Sequence, residues 1–386
     1  MVAAGISPAG LRVGENPPVR VAMTMTQCWH RVPGGTATSI VELARALCDR
    51  DDVELVAVGA RGAPSHDVAP PHGVATVSLP LGVRLLYDAW DRTGMPTIEP
   101  AAAAVLGEVD LVHLTVPMGP PRSSVPLVAT VHDLFPLSRP EWFTRRGVRL
   151  MAPALERIRD RADAVIVPSA AVARDCVVHG FSEDRLHVVP WGSRPVELDE
   201  RGAAAARRRL SITGDYVLFV GTVEPRKGLA VLADALARLG RPDLTLVIVG
   251  PSGWGPDTDA ALAAVPGPVR RLGFLPADDL TAVRAGASVC AVPSWAEGFG
   301  LPALEALAAG APLVTSAGTA LEEVAAGAAL LVPPGRSDLL ADALRRILDE
   351  SALARRLAEA GPARAAELTW DAAAAAVADV YRSVLR

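Results

Sequence analysis

Tyr216-Val-Leu-Phe-Val-Gly-Thr-Val-Glu-Pro-Arg-Lys-Gly-Leu-Ala-Val-Leu-Ala-Asp-Ala-Leu-Ala-Arg-Leu239 is the stretch on which the fold turns. Tyr216–Val220 is a continuous apolar run with strand character, and Leu229–Leu239 carries its apolar residues at helical spacing. Between them lies the loop Gly221–Gly228. Strand, glycine-bounded loop and helix make up the opening of a βαβ unit, and residues at the carboxyl ends of such strands line a ligand crevice. The loop holds Lys227, the one lysine among the chain's 38 basic Lys and Arg residues. Arginine is a wide planar fork, whereas lysine is a compact charge on a flexible stem that can reach a phosphate in a confined site. The bland alternative is a solvated helix end on which a lysine survives by chance.

Downstream, the alternation continues. Strand Leu244–Val249 leads to the turn Gly250-Pro-Ser-Gly253-Trp254 and a helix near Asp257–Ala264. A short strand Val269–Leu272, a helix Asp278–Gly286 and a strand Ser288–Val292 follow. Pro302 suits the first turn of the next helix and Gly310 its end. Strands Pro312–Thr315 and Ala328–Val332 and helices around Ser337–Glu350 and Ala352–Leu368 complete this lobe. Trp370–Leu385 is a last helix with Val377, Val380, Tyr381 and Val384 as its apolar stripe.

Upstream, the same pattern reads from the other end of the chain. Strand Val19–Met25 precedes the loop Pro33-Gly34-Gly35 and a helix Thr36–Arg50, which Thr36 can cap. Gly34 and Gly35 would let an anion, a diphosphate above all, approach the positive end of that helix; a plain tight turn is the competing reading. Val53–Gly59 continues the sheet, whereas Arg61–Thr97, rich in Pro and Gly, reads as loops with one strand at Val74–Leu79. Leu111–Leu114 and Val125–Val131 are buried strands, the second ending at His132-Asp133, which makes His132 the strongest functional candidate among the histidines. A satisfied buried histidine is the alternative. The helix Val148–Arg161, the strand Ala164–Val167, a helix opened by Ser169 and running to about His179, and the strand His187–Pro190 end the first lobe. Gly192–Asp215 reads as the link, with a short helix inside it. Two successive runs of βα units predict an α/β fold of two doubly wound, Rossmann-like lobes facing each other across a cleft.

Glu297 and Glu305 lie eight positions apart in Glu297-Gly-Phe-Gly-Leu-Pro-Ala-Leu-Glu305, one in the loop after a strand and one on the following helix. Carboxylates accept hydrogen bonds from paired hydroxyls, so one could hold a ribose diol and the other a hexose. Backbone N–H groups of Gly298–Leu301 beside a helix N-terminus suit a diphosphate. Two surface glutamates flanking a turn are the bland reading. Gly298-Phe-Gly300-Leu-Pro-Ala303 also fits the dinucleotide fingerprint formally. That motif belongs in an opening βαβ unit, directly after its strand. Lys227 lacks the spacing of a P-loop.

At 386 residues the chain has room for two to three domains of about 150 residues. Half of it is apolar and 21% is charged, which is globular. A net charge of −5 and a pI near 5.9 argue against nucleic acid as a partner. The four cysteines show no CxxC spacing and read as reduced, partly buried thiols of a cytoplasmic protein, although their number alone could make two disulfides. No Cys/His pattern implies a metal. No apolar run reaches the roughly 18 residues of a membrane span. The first twenty residues read as a loose arm without a signal-peptide core. Contact with the inner face of the membrane stays open.

Taken together, Gly221-Thr-Val-Glu-Pro-Arg-Lys-Gly228, Gly250-Pro-Ser-Gly-Trp254 and Glu297-Gly-Phe-Gly-Leu-Pro-Ala-Leu-Glu305 resemble the retaining family-4 glycosyltransferases of the GT-B fold, in their mannosyltransferase-like branch. Val131-His-Asp-Leu134 and Gly34-Gly35 extend the resemblance over nearly the whole chain. It implies hexose transfer from a nucleoside diphosphate sugar, GDP-mannose or a UDP-hexose, with no cofactor or bound metal. It leaves the acceptor undetermined: a lipid-linked glycan, a polysaccharide and a small natural product would all dock on the first lobe. By the same resemblance Lys227 and Arg226 neutralise the diphosphate, Glu305 holds the ribose, Glu297 contacts the donor sugar, and His132 lies near the reacting centre. Gly34, Gly35, Thr222, Gly253, Phe299, Gly300 and Leu301 fall at donor-binding positions. Thr222 stands where many members carry arginine, so Arg226 would take over that second cationic role. The implied organisation is an acceptor-side lobe 1–195, a link 196–215, a nucleotide-sugar lobe 216–369 and a helix 370–386 crossing back to the first lobe. A noncatalytic nucleotide-sugar-binding protein and a nicotinamide-dependent oxidoreductase are the alternatives.

Overall fold

The computed structural model describes residues 17–30, 34–65, 68–197, 199–253 and 258–386. The N-terminal arm up to residue 16, Pro33, Trp254 and Asp257 lie outside the described residues.

Seven strands form the first sheet: β1 (Val19–Thr24), β2 (Val53–Gly59), β3 (Ala75–Ser78), β4 (Leu111–Leu114), β5 (Leu127–Thr130), β6 (Ala164–Val167) and β7 (Leu186–Val188). Six form the second: β8 (Tyr216–Val220), β9 (Thr245–Val249), β10 (Val269–Gly273), β11 (Val289–Val292), β12 (Leu313–Ser316) and β13 (Leu330–Val332). All pairings are parallel, in the orders β3-β2-β1-β4-β5-β6-β7 and β10-β9-β8-β11-β12-β13. Parallel strands joined by helical crossovers are covered on both faces, which is why β4, β5, β6 and β11 are largely apolar, with only His113 and Thr130 as polar members, and are buried throughout. Each sheet reverses its winding beside its first strand, between β1 and β4 and between β8 and β11. Ligands bind outside the carboxyl ends of strands at such switch points. The Lys227 loop leaves β8 and the Glu297 loop leaves β11, so sheet order alone brings together two segments 70 residues apart in sequence.

The last helix, Trp370–Val384, returns to the first lobe. Val377, Val380 and Tyr381 are buried against it, and the Tyr381 hydroxyl meets His113 Nδ1 at 2.7 Å. The crossing needs a close approach: a Cβ on Gly192 would stand 2.1 Å from Trp370 N. Trp191 and Trp370 stack there with ring centroids 6.1 Å apart.

Three expectations need correction. Arg61–Thr97 is not loop throughout, because Val83–Thr93 is a helix that buries Leu86, Tyr87 and Trp90 and ends at Gly94. Its glycines sit at the two caps, so they mark helix boundaries and not irregular chain. The first helix spans Gly34–Cys48, which puts Thr36 inside its first turn and not at its cap. Cys48 is exposed, unlike the buried Cys28, Cys176 and Cys290, and all four are free thiols. The link does contain a helix, Glu200–Arg209, capped by the Asp199 carboxylate. Ser169 caps Ala170–Val178 as its side chain predicts. Among the described residues no helix is long and apolar enough to cross a membrane.

Candidate active site

The carboxyl edges of the two sheets meet. His132, two residues past β5, turns its carbonyl onto Gly298, past β11, so closely that a Cβ on Gly298 would stand 1.9 Å from it. Gly298 is thus a close contact between the lobes, where only a residue without a side chain fits.

Beside this contact Glu297 is buried and receives three donors. Lys227 Nζ is 2.7 Å from Oε1, Ser294 Oγ donates to the same oxygen at 2.7 Å, and Arg226 Nη1 reaches Oε2 at 2.6 Å. Burial alone would raise the Glu297 carboxyl, but the charges of Arg226 and Lys227 outweigh it and hold the group at about 2. Arg226 is more heavily engaged than Lys227. Its Nη1 also donates to the Ala296 carbonyl at 3.1 Å, its Nη2 to Glu224 at 2.7 Å, and its guanidinium lies over the Phe135 ring at 5.5 Å. Asp133 joins the cluster from the first lobe, its carboxyl raised by burial and partly offset by the Arg226 charge. Lys227 therefore has a single carboxylate partner, whereas Arg226 is built into the wall.

His132 Nε2 lies 2.9 Å from the Thr115 carbonyl. A carbonyl only accepts, so Nε2 carries the proton and Nδ1 presents a lone pair. Burial lowers this imidazole to about 4, leaving it neutral at pH 7. The fully satisfied buried histidine of the same sheet is His113, between Tyr381 and Thr130.

Glu305 stands apart from the cluster. It pairs with Arg284 on the wall of a cavity of about 890 Å³ that Leu275, Leu301 and, from the first lobe, Thr38 also line. Phe299 is buried, Gly300 turns the chain at φ +111°, and Leu301 begins the helix Leu301–Ala308 with Pro302 in its first turn. Thr222 and Gly253 pack against each other: a Cβ on Gly253 would stand 2.8 Å from Thr222 Cγ2 and 2.4 Å from the Val223 carbonyl. Gly34 and Gly35 are exposed at the start of their helix, and a Cβ at either would meet nothing within 4 Å. The structure thus gathers Lys227, Arg226, Glu297, His132 and the Gly298–Leu301 turn at one point, with Glu305 on the adjoining cavity and the Gly34-Gly35 pair outside the contact network.

Sequence reasoning gave no role to Glu224 and Asp133, although both stand inside quoted motifs, or to Ser294, three residues before Glu297. It also passed over Arg284 and Glu323, whose roles depend on contacts no spacing encodes. Among the described residues no group of three or more His, Cys, Asp or Glu is placed to hold a metal ion.

Comparisons with known proteins point one way. Residues 33–194 match the sequence profile described as Glycosyltransferase Family 4, and residues 214–350 the one described as Glycosyl transferases group 1. The chain is 32% identical over 389 residues to a D-inositol 3-phosphate glycosyltransferase of Nocardia farcinica, covering 91% of this chain and 85% of that one. It is 32% identical over 331 residues to an MMP alpha-(1->4)-mannosyltransferase of Mycolicibacterium hassiacum, covering 78% of each. Its fold is similar to that of Anabaena Alr3699/HepE, solved in complex with UDP and glucose, with a TM-score of 0.71 at 20% identity over 95% of this chain and 100% of the other.

Proposed function

The chain belongs to the family-4 glycosyltransferases of the GT-B fold, and from that premise we propose that it moves a hexosyl group, mannose from GDP-mannose first of all, onto a hydroxyl of a glycan, lipid-linked or small-molecule acceptor with retention of anomeric configuration. The second lobe would hold the nucleotide sugar and the first the acceptor. The observation that carries this reading is the Lys227–Glu297 contact at the switch point of the second sheet, opposite His132. A lysine with a single carboxylate partner stands with that carboxylate where a diphosphate and its sugar would sit.

When the bond from the anomeric carbon to the phosphate oxygen breaks, negative charge grows on the leaving diphosphate. Lys227 would stabilise that charge, and the N–H groups of Phe299–Leu301 at the helix N-terminus would add to it. Glu297, released from Lys227 by the diphosphate, would accept hydrogen bonds from the sugar hydroxyls while Arg226 keeps it in place. A carboxylate held at about 2 is a poor nucleophile. The acceptor oxygen would therefore bond to the anomeric carbon on the face the phosphate leaves, and the departing phosphate oxygen would take its proton. His132, neutral and with Nδ1 free, would accept a hydrogen bond from the donor sugar. Glu305 would hold the ribose from the wall of its cavity.

Mannosyltransferase names among the relatives favour GDP-mannose, and the UDP complex of the Anabaena neighbour makes a UDP-hexose the second choice. A thermal-shift panel of GDP, UDP, ADP and dTDP decides between them. A ligand at 100 times its Kd stabilises the folded state by about 2.7 kcal/mol. GDP should raise the midpoint most. A larger shift with UDP moves the assignment to a UDP-hexose, and no shift with any of the four contradicts nucleotide-sugar binding.

A further inference from the structure

A helix leaves its first N–H groups without partners in its own backbone. In Ala170–Val178 of the first lobe, the Val172 N–H goes to its own cap, Ser169 Oγ, at 3.2 Å. The Ala170 and Ala171 N–H groups go elsewhere, each to one oxygen of Glu323 at 2.8 Å. Glu323 belongs to the second lobe, on the helix Ala320–Ala325. Arg174 Nη2 lies 3.3 Å from the same carboxylate. Behind it, Arg364 donates to the carbonyls of Glu323 and Val324 at 2.9 Å, so the carboxylate rests on a fixed backbone.

Ser169 also reaches across. Its hydroxyl proton goes to the Gly298 carbonyl at 2.7 Å, while its lone pair caps the helix. Gly298 opens the turn that ends at Leu301. In a planar trans peptide the carbonyl and the next N–H point in opposite directions. Pinning the Gly298 carbonyl toward the first lobe therefore sets the direction of the Phe299 N–H.

The bonds of Glu323 to Ala170, Ala171 and Arg174 and of Ser169 to Gly298 run between the lobes, not within either. In an open cleft water would satisfy Ala170, Ala171 and Gly298, so the bonds belong to the closed state alone. We infer that Ser169 and Glu323 are positioning residues that couple closure of the lobes to the geometry of the Gly298–Leu301 turn. This coupling deepens the sugar-transfer reading and rests on it for its effect on rate, but the closure itself can be measured separately.

The experiment uses the full chain, with GDP-mannose and UDP-glucose as donors and GDP and UDP as closing ligands. Release of nucleoside diphosphate gives kcat and KM, and small-angle X-ray scattering gives the radius of gyration. Ser169→Ala should lower kcat about tenfold, the worth of one hydrogen bond in the reacting state, with donor KM within twofold. Ser169→Thr, which keeps the hydroxyl, should restore most of the rate. Nucleotide should contract the parent but contract Glu323→Gln less. A Ser169→Ala protein that turns over at the parent rate, or a threonine variant as slow as the alanine one, overturns the inference. If neither donor turns over even in the parent, the sugar-transfer reading fails while scattering still decides the coupling: equal contraction of parent and Glu323→Gln overturns it.

Discussion

At the scale of single residues, Lys227 is the position where composition and contact agree. A chain that uses arginine at its other basic positions keeps lysine where the stem runs past Gly221 and the ammonium reaches Glu297. Glu297 in turn occupies the cation that, on the proposed reading, an incoming diphosphate would need. Replacing it by glutamine removes the competing charge and leaves Lys227 free. Glu297→Gln should therefore bind the sugar-free nucleoside diphosphate at least as tightly as the parent, by calorimetry, while turnover falls about 100-fold, the loss expected when a group made for the transition state is removed. Weaker nucleotide binding in that variant would show that Glu297 assists the diphosphate directly. The glutamate spacing and the lone lysine were legible in the sequence. The three-way grip of Arg226 on Glu224, Ala296 and Glu297 was not, because it is made by side-chain directions that spacing leaves open.

At the scale of elements, the strands were legible because buried parallel strands are dominated by apolar residues, with few polar interruptions such as Glu54 and His113. Val53–Gly59, Leu111–Leu114, Ala164–Val167 and Tyr216–Val220 read the same from sequence and structure. The helix Val83–Thr93 escaped because its two capping glycines and the surrounding prolines mimic a loop, while its apolar face is only Leu86, Tyr87 and Trp90. Ser169 was legible as a cap, but its second bond crosses to a loop 129 residues away. The Gly298 loop makes the sharpest prediction at this scale. Gly298→Ala would place a methyl against the His132 carbonyl, a clash that exists only between lobes. Each lobe can fold and stand slightly apart, so we expect a melting midpoint within a few degrees of the parent and transfer reduced about 100-fold through a misplaced turn. A variant with parent activity would show that the lobes do not close as tightly as this contact requires.

The whole molecule carries an acid sensitivity that neither motif nor spacing announces. His113 is buried and His132 half-buried, and desolvation lowers them to about 3 and about 4. The unfolded chain binds a proton at each from about pH 6.5 downward, whereas the folded chain does not until far lower. Folding stability is therefore complete above pH 6.5 and falls as the pH drops toward 4, by about 1.4 kcal/mol per pH unit for each histidine. Glu297, held at about 2, adds a loss of the same sign at still lower pH. The melting midpoint should fall steadily between pH 6.5 and pH 4.5, and His113→Gln should flatten that slope; a midpoint indifferent to pH over this window would refute the buried neutral state. The two-lobed architecture itself was readable from the repeated βα alternation. The facing of the lobes was expected too, and the return of the last helix followed from the family resemblance; the pairs that join the lobes, His132 on Gly298 and Glu323 on Ala170, were not legible, because they are contacts between distant segments.

The central claim is that Lys227 meets the diphosphate of a sugar donor as the glycosidic bond breaks, and one measurement tests it directly. Parent protein and Lys227→Arg are incubated with GDP-mannose, UDP-glucose, ADP-glucose and dTDP-glucose, and release of nucleoside diphosphate is followed alongside the melting midpoint. A planar guanidinium would deliver its charge with a different reach and shape from the compact ammonium that stands 2.7 Å from Glu297. We predict that the parent turns over one donor class, and that Lys227→Arg keeps its midpoint and loses about 100-fold in rate, or about 2.7 kcal/mol of transition-state stabilisation. An arginine variant that releases the nucleotide at the parent rate, or a parent that releases it from none of the four donors, would contradict the account.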